Sequence, residues 1–215
     1  VADQQRKDVA SESLEIRYEL ITETSELQAF LDIARQQGFL AIDTETTGLN
    51  AAAADLVGVA MAVAPSHACY VPLRHGKADD VYESGQSGLD FEDQQPVATI
   101  KQIPFDEAMS ILRMVFEDKS ILKIGHNLKY DSHVLLRQCN GGIKLAPVDD
   151  TMCLSYVLDT GVVDRHSMDY LAEYWLDYKT IKFEDICGKG IKQVSFAAIT
   201  PEKALHYAAE DADIT

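Results

Sequence analysis

The sequence predicts an α/β domain in which a mixed central β-sheet is flanked by helices. Short apolar runs rich in β-branched and aromatic residues come first, at 39–43, 56–64 and 67–73, and such runs are typical of strands. Helical patterns then alternate with one further strand at 121–125. Strands that are consecutive at first and later alternate with helices predict a sheet with both antiparallel and parallel neighbours.

The composition favours one globular domain and limits the kind of partner. The 215 residues include 19 Lys and Arg against 35 Asp and Glu, which gives a formal net charge of −16. This charge argues against a broad basic face that follows duplex DNA, although a local site in which metal ions screen the carboxylates stays open. Because no apolar run is long enough for a membrane span and no signal-peptide pattern opens the chain, we expect a cytoplasmic protein with no membrane partner. We also expect a monomer. Four widely spaced cysteines are expected to be reduced thiols: Cys69, Cys139, Cys153 and Cys187.

The N-terminal region divides into a tail and the first helix. Residues 1–20 are polar, charged and weakly periodic, so we expect a linker or disordered tail before one domain at 21–215. A helix is predicted from Thr24 to Gly38, because a Ser/Thr start, apolar residues at helical spacing and a glycine stop follow one another.

Turn and helix signals place the remaining elements. The strands on either side of Pro65 form a predicted hairpin, and residues 74–103 form a predicted exposed excursion because they show little periodicity. Further helices are predicted from start signals and apolar spacing. They cover 104–118, begin near Asn127, begin near Asp150 and begin at Thr200-Pro201.

The first chemical signal is the pair of acids Asp43 and Glu45 at the end of a predicted strand. Side chains two apart on a strand point to one face, so these carboxylates lie side by side. They repel each other unless a cation lies between them, and a hard divalent ion is the natural partner. Taken alone, the pair is also explained by a solvated strand end with two scattered acids.

Two further segments carry polar residues four apart. Asn127 and Asp131 share a face if a helix opens at Asn127, although taken alone they are also explained by a capping asparagine and a surface aspartate. Tyr207 and Asp211 are also four apart, whereas His206 is five before Asp211. Four residues return to within about 40° on a helix and five miss by about 140°. The spacing therefore favours Tyr207 as the partner of Asp211, with an amphipathic helix that has an acidic end as the alternative.

Together the D-x-E, N-x₃-D and Y-x₃-D segments resemble the motifs of the DEDD superfamily of 3′-5′ exonucleases, tyrosine subclass. Over about Ile21 to Thr215 the chain is similar to the proofreading domains of bacterial DNA polymerase I, the exonuclease part of Klenow-type fragments. Five stretches carry this resemblance: AIDTETTGL, LKIGHNLKYD, DDTMCLSYVLD, SMDYLAEYWLDYKTIKFEDICGKG and HYAAEDADIT. The resemblance implies a ribonuclease-H-like fold and a covalently linked polymerase domain, so the chain is expected to be a C-terminally truncated part of a longer protein.

The family resemblance also implies a two-metal mechanism with Mg²⁺ or Mn²⁺, or Zn²⁺ at the first site. Asp43 would bridge both ions, Glu45 and Asp211 would complete the first, and Asp131 would hold the second, largely through water. Tyr207 would orient the attacking water, because a phenol with a pKa near 10 is a poor base at neutral pH. The reaction would release nucleoside 5′-monophosphates from the 3′ end of single-stranded DNA.

Contacts to the DNA strand are implied by position in the family pattern. Leu49 would wedge against the terminal bases and Phe183 would face a base, since each stacked base is worth roughly 1–3 kcal/mol. Both side chains are otherwise explained as ordinary core. The remaining contacts to the strand or its phosphates are expected from Thr46, Asn127, Tyr130 and Arg165. His126 stands where the resemblance leads us to expect Gln, and a histidine there could add a pH-sensitive contact.

Two other functions are compatible with the sequence. One is a catalytically silent scaffold or a single-strand-binding module, against which the complete set of four acids argues. The other is a ribonuclease D-like exonuclease that acts on RNA, which a comparison of DNA and RNA strands would distinguish.

Overall fold

The structure is a computed structural model that describes residues 15–76, 100–138 and 141–215. Residues 1–14 of the predicted tail and residues 77–99 of the predicted excursion lie outside the described residues. Within the described part of the chain, no helix is long and apolar enough to cross a membrane.

A six-stranded mixed sheet forms the centre of the domain, in the order β1-β4-β3-β2-β5-β6. Its strands are β1 (Arg17–Leu20), β2 (Phe39–Thr46), β3 (Leu56–Ala64), β4 (His67–Pro72), β5 (Leu122–Gly125) and β6 (Val148–Asp150). Strands β2, β3 and β4 are antiparallel neighbours, whereas β1 with β4, β2 with β5 and β5 with β6 are parallel. The predicted mixed sheet and its β3–β4 hairpin are confirmed.

Helices cover both faces of the sheet. In the described residues they are α1 (Thr24–Gln37), α2 (Phe105–Phe116), α3 (Leu128–Gln138), α4 (Thr151–Leu158), α5 (Met168–Leu176), α6 (Phe183–Cys187) and α7 (Pro201–Ile214). Strand β3 is buried on both sides: Met61 and Val63 pack in a cluster with α1 and α2, while Ala60 and Ala62 pack in a cluster with α7. This alternation divides the core into two apolar layers, one on each face.

The first helix forms as its local signals predict. Helix α1 ends at Gln37, and the following Gly38 adopts a φ of 82°, a left-handed conformation that glycine enters without a Cβ clash. Its buried side chains Leu27 and Leu31 lie one turn apart and face the sheet.

The expected N-terminal tail overlaps a strand. Residues Arg17–Leu20 form β1 and pair in parallel with β4, with the Ile21 N–H donating to the Tyr70 carbonyl at 2.9 Å. The expected tail boundary at residue 20 is therefore wrong for these four residues. Pairing with a strand about 50 positions later leaves no periodic signal in so short a segment, so the local sequence could not reveal it.

Candidate active site

Strand β2 brings the first two acids to the middle of the sheet. Asp43 and Glu45 lie two apart between neighbours β3 and β5, so their side chains share one face. Asp43 is half-buried and Glu45 is only 7% exposed. The predicted side-by-side arrangement of these carboxylates is therefore present near the end of β2, with Glu45 buried and Asp43 half-buried.

Helix α7 contributes a third carboxylate to the same place. The helix begins at Pro201, and the Thr200 hydroxyl accepts a hydrogen bond from the Lys203 N–H at 3.4 Å. One oxygen from each of Asp43, Glu45 and Asp211 lies within 4.8 Å of the others. These three residues, which come from two distant parts of the chain, are called the acidic cluster: Asp43, Glu45 and Asp211.

Asp131 lies beside the acidic cluster but is fixed differently. It is 3% exposed, and its Oδ1 accepts hydrogen bonds from the Thr44 N–H at 3.1 Å and from the Thr44 hydroxyl at 2.5 Å. Thr44 separates Asp43 from Glu45 in β2. The bonds therefore hold Asp131 against the strand that carries both acids.

The proximity and burial of these carboxylates increase their affinity for protons. Burial raises the pKa of Asp131 to about 6 and that of Asp211 to about 7. Burial, and then the charges of neighbouring acids, raise the pKa of Asp43 and of Glu45 well above their usual range. Glu45 Oε1 is buried without a hydrogen-bond partner among the described residues. Several hard oxygen donors, one of them unpaired, fit a divalent cation such as Mg²⁺ or Mn²⁺.

Tyr207, and not His206, faces the acidic cluster. Asp211 lies one helical turn after Tyr207, and burial together with the negative charge of its carboxylate raises the pKa of Tyr207. Its ring lies 6.3 Å from that of Phe183 in a T-shaped contact. His206 is exposed, with its ring 6.1 Å from that of Tyr18. The separation follows from an unbroken helix over Pro201–Ile214.

The second predicted motif is built differently from our expectation. Helix α3 begins at Leu128, and Asn127 precedes it with a φ of 65°, so Asn127 and Asp131 do not share a helix face. The Asn127 N–H instead donates to Asp150 Oδ1 at 3.1 Å. The helical spacing was misleading because a left-handed asparagine, which the sequence does not reveal, ends the strand-to-helix turn.

The structure brings together some, but not all, of the residues expected to touch DNA. Thr46 and Tyr130 contact each other through their hydroxyls at 2.5 Å, and the Tyr130 hydroxyl donates to the Gly48 carbonyl at 2.5 Å. They hold the turn on which Leu49 is 98% exposed, so Leu49 is not a core residue. Phe183 is half-buried against Tyr207, whereas Asn127 and Arg165 are exposed and no described contact joins Arg165 to the others.

Sequence reasoning overlooked three residues that shape the site. Thr44 binds Asp131, and Asp150 binds the start of α3. Glu210, which is 3% exposed, accepts hydrogen bonds from the Tyr178 hydroxyl and the Ile181 N–H, both at 2.6 Å. Only Asp150 carried a readable signal, an aspartate directly before a predicted helix.

Comparison with known families identifies the class of protein. A family model described as 3′-5′ exonuclease matches residues 18–215. The chain therefore belongs to the 3′-5′ exonuclease family and is an exonuclease domain.

The curated relatives place the domain more narrowly. The chain is 38% identical over 208 residues to DNA polymerase I of Rhizobium leguminosarum and 37% identical over 201 residues to that of Pseudomonas aeruginosa. These matches cover 92% and 94% of the chain but only 19% and 20% of the relatives. The chain is thus homologous to the exonuclease domain of DNA polymerase I and spans about a fifth of such proteins.

Solved structures agree with the fold. Brucella melitensis NrnC with bound Mg²⁺ matches with a TM-score of 0.55 at 23% identity, over 93% of this chain and 75% of that one. Escherichia coli RNase D, an exoribonuclease involved in structured RNA processing, matches with a TM-score of 0.60 at 18% identity, over 92% of this chain and 42% of that one. The predicted ribonuclease-H-like fold is confirmed.

Proposed function

We propose that this domain removes nucleotides one at a time from the 3′ end of a DNA strand, as 5′-monophosphates, and that it proofreads within a DNA polymerase I-type protein. The observation that carries the proposal is the acidic cluster, with Asp131 beside it and Tyr207 one helical turn before Asp211. The polymerase I relatives support DNA as the substrate and a covalently linked polymerase domain as the partner.

In this proposal the divalent cations would be held by the acidic cluster and Asp131. Asp43, Glu45 and Asp211 would bind one divalent ion, and Asp131 with Asp43 would take part in binding a second. When bound, such ions lower the pKa of water and stabilise the leaving oxygen of a phosphodiester. Mg²⁺ and Mn²⁺ fit an all-oxygen donor set.

The side chains around the acidic cluster position the substrate. The Tyr207 hydroxyl, with its raised pKa, stays protonated, so Tyr207 orients a water molecule or a phosphate oxygen and does not act as a base. Leu49 and Phe183 offer apolar surfaces for the terminal bases. Thr46, Tyr130, Asn127 and Arg165 supply polar contacts for the strand.

The buried acids disfavour a purely structural scaffold. Holding several carboxylates together out of water costs free energy unless a cation compensates them. A scaffold or a simple strand-binding module gains nothing from such a group of acids, whereas a metal-dependent nuclease needs it to bind cations.

The test is digestion of a 5′-labelled single-stranded DNA with Mg²⁺ or Mn²⁺, with an EDTA control and with the same strand made of RNA. We expect a ladder that shortens from the 3′ end, release of deoxynucleoside 5′-monophosphates and weaker attack on RNA. Asp211→Asn should abolish the ladder, while the matched change Asp213→Asn on the same helix should retain it, because Asp213 instead binds Tyr18 and the Ser66 N–H. Absence of any ladder from the folded wild-type domain at high enzyme concentration would contradict the proposal, and faster digestion of RNA would contradict its substrate.

A further inference from the structure

Asp150, the last residue of β6, makes an unusual set of hydrogen bonds. Its carboxylate accepts four backbone N–H donors from two separate parts of the chain. They are Asn127 at 3.1 Å, Leu128 at 2.8 Å, Met152 at 3.0 Å and Cys153 at 3.2 Å.

These bonds cap two helices with one side chain. Asp150 is the N-cap of α4, which begins at the next residue, and an aspartate there ordinarily satisfies only its own helix. Here Oδ2 also accepts from the first residue of α3, 22 positions earlier. The pairing of Gly125 with Asp150 across β5 and β6 brings the two helix starts together, and both favour a negative charge.

The start of α3 that Asp150 caps is linked to the acidic cluster through Asp131. Helix α3 carries Asp131 in its first turn, and Asp131 reaches back to Thr44 in β2. Movement at Leu128 would therefore move Asp131 relative to Asp43. The bond from the Asn127 N–H to Asp150 also holds the left-handed residue Asn127 against the end of β6.

We propose that Asp150 is a positioning residue of the exonuclease site: it fixes the start of α3 so that Asp131 stays against β2 and contributes to divalent-cation binding. The inference rests on the proposed function, and it assigns Asp150 no contact with substrate or metal. Its action through Asp131 is what distinguishes it from a cap that only stabilises the fold.

Asp150→Ser isolates the link to α3. Serine is a good N-cap and can accept from the Cys153 N–H of its own helix, but its shorter side chain cannot also reach Leu128. Asp150→Asn is the second variant, because it keeps Oδ1 and the original size while losing the carboxylate. The matched control is Asp118→Asn, since Asp118 also accepts a backbone N–H, from Ser120 at 2.8 Å, away from the acidic cluster.

The measurement is Mn²⁺ binding by electron paramagnetic resonance without DNA, on the wild type, the three variants, Asp131→Asn and the double variant Asp131→Asn/Asp150→Ser. We expect Asp150→Ser to weaken Mn²⁺ binding about tenfold or more, the scale on which outer partners of metal ligands act. The double variant should bind no more weakly than Asp131→Asn alone, because both changes remove the same contribution. Amide hydrogen exchange should accelerate at Leu128 in Asp150→Ser.

Several results would overturn the inference. Unchanged Mn²⁺ binding in Asp150→Ser with faster exchange at Leu128 would show that the cap has no effect on the site. An additive loss in the double variant would show that Asp150 does not act through Asp131, and an equal loss in Asp118→Asn would indicate general destabilisation. If Asp150→Ser does not fold, the same comparisons are made with Asp150→Asn. If the wild-type domain binds Mn²⁺ and degrades DNA, the proposed exonuclease function stands whatever the Asp150 variants show. If the wild-type domain does neither, both the proposed function and the role of Asp150 are overturned.

Discussion

Tyr207 lies one helical turn before Asp211, and the negative charge of the Asp211 carboxylate contributes to the raised pKa of the Tyr207 phenol. A single helix face therefore supplies both an acid of the cluster and a hydroxyl beside it. The same turn directs His206 outward to solvent.

Tyr207→Phe should lower kcat for DNA digestion about tenfold to hundredfold with little change in Mn²⁺ binding. The hydroxyl orients a reacting group, and losses of this size follow from small displacements of reacting atoms. His206→Ala is the matched control and should stay within about twofold of wild type, as is usual for an exposed side chain. Single-turnover digestion measures both variants, and an equal loss of rate in the two would exclude Tyr207 as the residue that orients the reacting group.

Stability in EDTA should fall as pH rises from 5 to 8. Burial raises the pKa of Asp131 to about 6 and of Asp211 to about 7, whereas an unfolded aspartate titrates near 3.9. The folded protein therefore holds protons that the unfolded chain has lost, and its free energy of unfolding decreases through this window.

Thermal unfolding at pH 5.5 and pH 8 measures that dependence. We expect a higher Tm at pH 5.5 by at least about 3 °C, which corresponds to roughly 1 kcal/mol in a domain of this size. Asp211→Asn and saturating Mg²⁺ should each flatten the difference, because each removes unpaired negative charge. A Tm that rises with pH in EDTA would be inconsistent with these raised pKa values.

Glu210→Ala should destabilise the domain by roughly 1–3 kcal/mol and raise KM for single-stranded DNA. The substitution removes the acceptor of two part-buried hydrogen bonds, from the Ile181 N–H and the Tyr178 hydroxyl, and hydrogen bonds to a charged group contribute on this scale. Those residues lead into Phe183, so a loosened segment presents its ring less precisely. Glu202→Ala, at an exposed position of the same helix, is the control and should change neither the stability nor KM. If Glu210→Ala lowers the stability but leaves KM unaltered, Glu210 contributes to folding alone.

Gly58→Ala should destabilise the domain by roughly 1–3 kcal/mol, the usual cost of overpacking. A Cβ at Gly58 would lie 2.1 Å from the Tyr70 hydroxyl oxygen, and that hydroxyl is held by the buried His75 Nε2 at 2.6 Å. Gly48→Ala is the control, because a Cβ there meets nothing within 4 Å. Urea unfolding of both variants tests the difference, and equal midpoints would argue that Tyr70 moves aside freely.

Much of the site was predictable because its signals are local. Alternation along β2 sets Asp43 beside Glu45, and the helical period selects Tyr207 over His206 for Asp211. Likewise, the Thr200-Pro201 start and the Gly38 stop mark helix boundaries through short-range backbone chemistry.

Contacts between distant segments, in contrast, were decided only by the tertiary structure. The pairing of β1 with β4, the bond from Thr44 to Asp131 and the capping of α3 by Asp150 each join residues far apart in the chain. No local periodicity encodes such partners, because a hydrogen bond between two segments depends on where the whole sheet places them. The sequence by itself therefore determined which acids could form the site, and the packed fold decided how each is held.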